Sequence, residues 1–127
     1  MRYVLLYMGD EMALANLSPA ELDRIVTAKT AVGQELYAQG KMVVGHRLWP
    51  TAAAVRVVRA GERVVTVEGP FTETKEVVGG LDVIECASRE EAIGWARRYT
   101  LRDGVTEVRP VWQRCLCHGS FTCSSPL

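Results

Sequence analysis

The chain has 127 residues, 48% of them hydrophobic and 24% charged, with fifteen basic residues balancing fifteen acidic ones. That length suits one domain with a single core. A net charge of zero leaves no electrostatic footprint for nucleic acid or a membrane surface, and no apolar run reaches the roughly 18 residues of a membrane span. Neither partner is expected.

Residues 3–8, Tyr-Val-Leu-Leu-Tyr-Met, are a short apolar run of strand formers and read as a strand buried on both faces. Gly9-Asp10-Glu11 ends that run at once, and no small-residue cleavage site follows, so a first strand is favoured over a signal segment and a cytoplasmic location is expected. Met12 to Leu17 has no clear period and reads as a connection. Ser18, Pro19 and Glu21 then form a capping box with Pro at the first helical position. Leu22, Ile25, Val26, Val32 and Leu36 recur near a 3.6-residue period, predicting a helix over 19–38 with one apolar face inward, and Gly40 ends it.

Strand character returns at Met42 to Gly45 and ends near Arg47-Leu48-Trp49-Pro50. The runs 53–59 and 63–67, joined through Ala60-Gly61-Glu62, predict a hairpin. Leu81 to Cys86 alternates as a further strand, and Ser88 to Glu91 is a second capping box, leading a helix that carries Ala92, Ile93, Trp95, Ala96 and Tyr99. A last strand runs from Val105 to Trp112. This order is the βαββαβ plan of the α+β, ferredoxin-like fold with a hairpin inserted, an antiparallel sheet carrying two helices on one face. The valines of 55–57 and 65–67 need cover that one small domain does not supply, so a homodimer is expected.

Residues 1–112 thus form the domain and 113–127 a tail without period. Cys115, Cys117 and Cys123 fall in that tail while Cys86 closes a strand, which is no disulfide framework and fits a reducing compartment. Cys115, Cys117, His118 and Cys123 offer three thiols and an imidazole, but three donors crowd together, and no metal site is expected. The absence of a dinucleotide or flavin fingerprint implies no redox cofactor.

Residues 68–80 concentrate the remaining information. Gly69 and Pro70 set a sharp turn and Phe71 plugs the core, while Gly79-Gly80 leads into the next strand. Glu68, Glu73, Lys75 and Glu76 are either a solvated face or a set turned into a pocket, with a carboxylate as base and an ammonium for an anion. His46, the single histidine within the fold, is either structural or a general acid/base paired with Glu68 or Asp82. Arg109 adds positive charge on the last strand, where it and Asp10 could line one pocket.

Glu68-Gly69-Pro70-Phe71, the Glu73, Lys75, Glu76 cluster and Gly79-Gly80 together resemble the DGPF-motif proteins of the YCII-related family. Leu48 and Pro50, the 92–96 helix and Glu107-Val108-Arg109-Pro110-Val111 agree, and the resemblance covers about residues 1–112. It implies a dimeric α+β barrel with a polar pocket, bacterial origin, a link of some members to extracytoplasmic-function sigma factors, and enzyme activity through a His–Asp pair in related single-domain proteins. Where the family has Asp, this chain has Glu68, which shifts the carboxylate by about one methylene. The expectation is a small-molecule ligand handled by His46 and Glu68, with Glu73, Lys75, Glu76 and Arg109 binding it. The alternative is a non-catalytic regulatory module.

Overall fold

The structure is a computed structural model of the chain, and it describes residues 1–71, 76–102 and 104–112. In order these form β1 (Arg2–Gly9), α1 (Glu11–Ala15), α2 (Pro19–Ala38), β2 (Met42–Arg47), a 3₁₀ turn (Thr51–Ala53), β3 (Val55–Ala60), β4 (Arg63–Glu68), β5 (Val77–Glu85), α3 (Arg89–Tyr99) and β6 (Val105–Pro110). Four strands pair antiparallel in the order β2-β5-β1-β6, which is the ferredoxin-like arrangement, while β3 and β4 form their own two-stranded sheet. The fold is α+β, as the order of elements predicts.

Local chemistry starts and stops the helices. The Ser18 hydroxyl accepts from the Glu21 amide at 3.2 Å, and the Glu21 carboxylate accepts from the Ser18 amide, closing a full capping box. At α3 the box forms only by half. Ser88 accepts from the Glu91 amide, but the Glu91 carboxylate accepts from the Ala87 amide at 2.8 Å and pairs with Lys41. One short helix differs from the sequence reading of 12–17 as a connection: Asp10 caps α1 by accepting from the Met12 amide at 2.9 Å. Five residues are too few to show a period, and none of them is buried.

The core lies between one sheet face and the two long helices. Tyr3, Leu5, Ile84 and Cys86 meet Val32 and Leu36 of α2 and Ala92, Trp95, Ala96 and Tyr99 of α3. Leu5, Leu36 and Ile84 are fully buried, each contributing roughly 1.5–3 kcal/mol of apolar burial. β1 was expected to be buried on both faces, yet Tyr3 and Leu5 are buried while Val4 and Leu6 are only half-buried. The reason is that both long helices cover one side, and no helix among the described residues covers the other.

The hairpin shows the same shortage of cover. Every residue of β3 and β4 is exposed, including Val55, Val57, Val58, Val64, Val65 and Val67. Gly61, with φ +67°, supplies its turn. Phe71 anchors the chain beyond it, buried and covered by the Arg56 guanidinium 3.7 Å from its ring centroid. The Gly69 amide donates to the Ala54 carbonyl at 2.8 Å, and a Cβ at position 69 would overlap the Thr51 carbonyl oxygen. Gly69 is therefore dictated by close backbone approach. No helix among the described residues is long and apolar enough to cross a membrane.

Candidate functional site

A cleft of about 1230 Å³ opens between α1, the N-terminal half of α2 and the helix-facing side of the sheet. Leu22, Ile25 and Val26 were expected to point into the core with Val32 and Leu36. Only the last two are buried; the first three line the cleft beside Leu14 and Leu17. The apolar stripe of α2 is continuous, but only its C-terminal half rests on the sheet. The other half forms the apolar wall of an open space.

A polar cluster also lines this cleft. Asp82 is 7% exposed, and the Tyr7 phenol donates to its Oδ2 at 2.6 Å. Strand alternation explains the meeting. Tyr3 pairs with Ile84, Leu5 with Asp82 and Tyr7 with Gly80, so Tyr7 and Asp82 share the helix-facing side. Gly45 sits directly across from Asp82 on β2, and a Cβ there would overlap the carboxylate. The ring of Tyr99, from α3, lies 4.9 Å from that of Tyr7 at 49°, and Lys29 of α2 stands 5.1 Å above the Tyr7 ring.

Burial, then the hydrogen bond to Asp82 and its negative charge, push the Tyr7 phenol well above the ordinary tyrosine range. Tyr99 is pushed up in the same way, by burial first and then by the carboxylate it faces. Lys29 is held below the ordinary lysine value, chiefly by burial and next by the like charge of Arg47, with Asp82 pulling the other way. The buried Asp82 carboxylate, two neutral phenols and the cations Lys29 and Arg47 are thus among the groups that border this space. Such a set can accept or deliver a proton and orient a polar ligand group. Among the described residues no three His, Cys, Asp or Glu side chains stand together as metal ligands.

The residues nominated from sequence are spread more widely. His46 borders the cleft but is exposed, and its pairing with Leu81 puts it on the sheet side away from Asp82. Glu68 is exposed at the end of β4, and among the described residues no hydrogen bond or ion pair joins it to His46. Arg109, opposite Val4 on β6, is exposed on the same side as His46. Three strand spacings, about 14 Å, separate β2 from β6, so those two side chains do not converge. Asp10 lines the cleft while capping α1, and Arg109 is not among the cleft residues. Glu76 is exposed. Glu73 and Lys75 lie outside the described residues, as does the 113–127 tail with Cys115, Cys117, His118 and Cys123.

Two signals in the sequence point to the observed cluster. Lys29 interrupts the stripe Leu22, Ile25, Val26, Val32, Leu36 at helical spacing, and Gly45 follows Val43 and Val44 in the middle of a strand. Asp82 is less legible, because Leu81 and Val83 make either face of β5 a credible inner one.

Fold and site define a small ferredoxin-like α+β protein with a buried carboxylate set in an apolar cleft. The chain belongs to the YCII-related family, whose model matches residues 1–114. It is similar to "Uncharacterized protein R00369" of Rhizobium meliloti (strain 1021), at 34% identity over 114 residues that cover 87% of this chain and 92% of the relative.

Proposed function

We propose that this protein binds a small molecule in the cleft beneath α2 and that Asp82 is the group through which it handles a proton there. The observation that carries the reading is the Asp82 carboxylate, almost wholly buried, bonded to the Tyr7 phenol and bordering a cleft large enough for a small ligand. Burying an ionisable group without a role is costly, and its position in a cleft is what acid/base chemistry requires. His46, on a strand that borders this space but with its side chain on the other side of the sheet from Asp82, is the second candidate for proton transfer, with Glu68 as its partner. Glu73, Lys75, Glu76 and Arg109 remain proposed ligand contacts of the segment and strand on which they lie.

The protein acts as a homodimer in this reading. Support comes from the half-buried Val4, Leu6, Leu81 and Val83 on the sheet face that no helix among the described residues covers, together with the exposed hairpin valines. A bacterial relative fits bacterial origin, and cysteines gathered near one end of the chain fit a cytoplasmic setting.

A thermal-shift ligand screen on wild type, Asp82→Asn and His46→Ala tests the assignment. A ligand that stabilises wild type and His46→Ala alike, but not Asp82→Asn, places binding at Asp82. Equal stabilisation of all three removes Asp82 from the site. Ligand binding without turnover by any variant favours the non-catalytic, sigma-factor-linked module.

A further inference from the structure

The geometry points to a ligand that is an amphipathic anion: a carboxylate or phosphate head held between Lys29 and Arg47, with an apolar body along the α1–α2 wall. This rests on the reading of the cleft as a ligand site and adds the chemical class of the occupant.

Four of the described cationic side chains pair with carboxylates. Arg2 pairs with Glu85, Lys41 with Glu91, Arg98 with Glu35 and Arg102 with Glu21. Lys29 and Arg47 are different: both line the cleft, and among the described residues neither makes an ion pair. They come from different elements, α2 and β2, and the register fixes their approach. Arg47 pairs with Gly80, so it shares the helix-facing side with Asp82 and points toward the helix that carries Lys29. Lys29 is half-buried, its ammonium resting over the Tyr7 ring. The carboxylates of the cleft have other partners: Asp82 accepts from Tyr7, Asp10 from the Met12 amide and Glu11 from the Thr51 amide and hydroxyl, while the third cation of the lining, Arg102, pairs with Glu21. Burial first and the like charge of Arg47 next hold Lys29 below the ordinary lysine value, with Asp82 opposing, so the two cations lie within electrostatic reach of each other.

An anionic group placed between them would gain charge-assisted hydrogen bonds from both, and a planar head suits the guanidinium fork. The rest of the cleft sets the other half of the ligand. Leu14, Leu17, Leu22, Ile25 and Val26 offer an apolar wall with few polar partners, so a fully polar anion would leave that surface unused.

The test compares octanoate, octyl phosphate and 1-octanol by isothermal titration calorimetry against wild type, Arg47→Gln and Lys29→Met. At least one of the two anions is expected to bind wild type about tenfold or more tighter than 1-octanol, with the tighter anion identifying the head group. Arg47→Gln is expected to shrink that preference to within about threefold; because Arg47 is exposed, this variant carries the test even if Lys29→Met fails to fold. Equal binding of octanol and both anions overturns the charge assignment while leaving the cleft a ligand site. An anion preference that survives in both variants overturns it as well. No binding by any of the three probes overturns both this inference and the reading on which it rests.

Discussion

Replacing Tyr7 with Phe removes one oxygen from the centre of the proposed site and little else. The lost contact is a 2.6 Å hydrogen bond from a phenol to a carboxylate that is 7% exposed. Hydrogen bonds to charged groups contribute about 1.5–3 kcal/mol, and the upper part of that range applies when a buried acceptor loses its partner. The ring stays, so its packing with Tyr99 and Lys29 is largely kept. At about 2.1 cal/mol/K per residue the 127-residue chain unfolds with an entropy of about 0.27 kcal/mol/K, so Tm should fall by roughly 6–11 °C at fixed protein concentration. Chemical denaturation of wild type, Tyr7→Phe, Asp82→Asn and the double variant gives the coupling directly, with about 1–2 kcal/mol expected. Additive effects, or a Tyr7→Phe protein as stable as wild type, would refute the view that this bond holds the carboxylate in place.

The phenols also set a pH response. The native state keeps the Tyr7 and Tyr99 protons above the ordinary value of 10.0, while the unfolded chain loses them there, so stability should fall as pH rises beyond about 10. Melting curves between pH 8 and 11.5 should show that fall, and Tyr7→Phe should flatten it. Lys29 works in the opposite sense: held below 10.5, it makes the unfolded state the stronger proton binder, so stability rises with pH up to that value and Lys29→Met removes the rise. On α2, Leu36→Ala should cost about 2–5 kcal/mol because Leu36 is fully buried, whereas Leu22→Ala should cost under about 1 kcal/mol because Leu22 lines open space; equal losses would mean that the cleft is closed in solution. Gly69→Ala should destabilise by roughly 3 kcal/mol or more, since a backbone carbonyl cannot yield, while Gly45→Ala should cost less because the Asp82 side chain can turn away; denaturant midpoints rank the two. Paired Val57→Glu and Val64→Glu changes should shift sedimentation toward monomer without altering the far-ultraviolet spectrum, and a dimer that survives them is not built on the hairpin.

Local signals along the chain mark most of the elements and much of their order, though not the short helix α1. Ser18, Pro19 and Glu21 start a helix by local hydrogen bonding alone, Gly61 turns the hairpin by its backbone freedom, and alternation marks β5. Gly69, Pro70 and Phe71 were legible as a packing device, and Phe71 is indeed buried where the hairpin returns. The tertiary structure decided which apolar surfaces become core. A 3.6-residue stripe states that a helix has an inner face, but it cannot state how far the sheet extends beneath it. Thus Val32 and Leu36 are buried while Leu22, Ile25 and Val26 line a cleft. The site follows the same logic. His46 and Glu68 stood out because ionisable groups near a turn are visible in one dimension. Tyr7, Asp82 and Tyr99 meet only through the pairing of β1 with β5 and the docking of α3 on the sheet, across more than seventy residues of chain, and strand register is a property of the folded sheet.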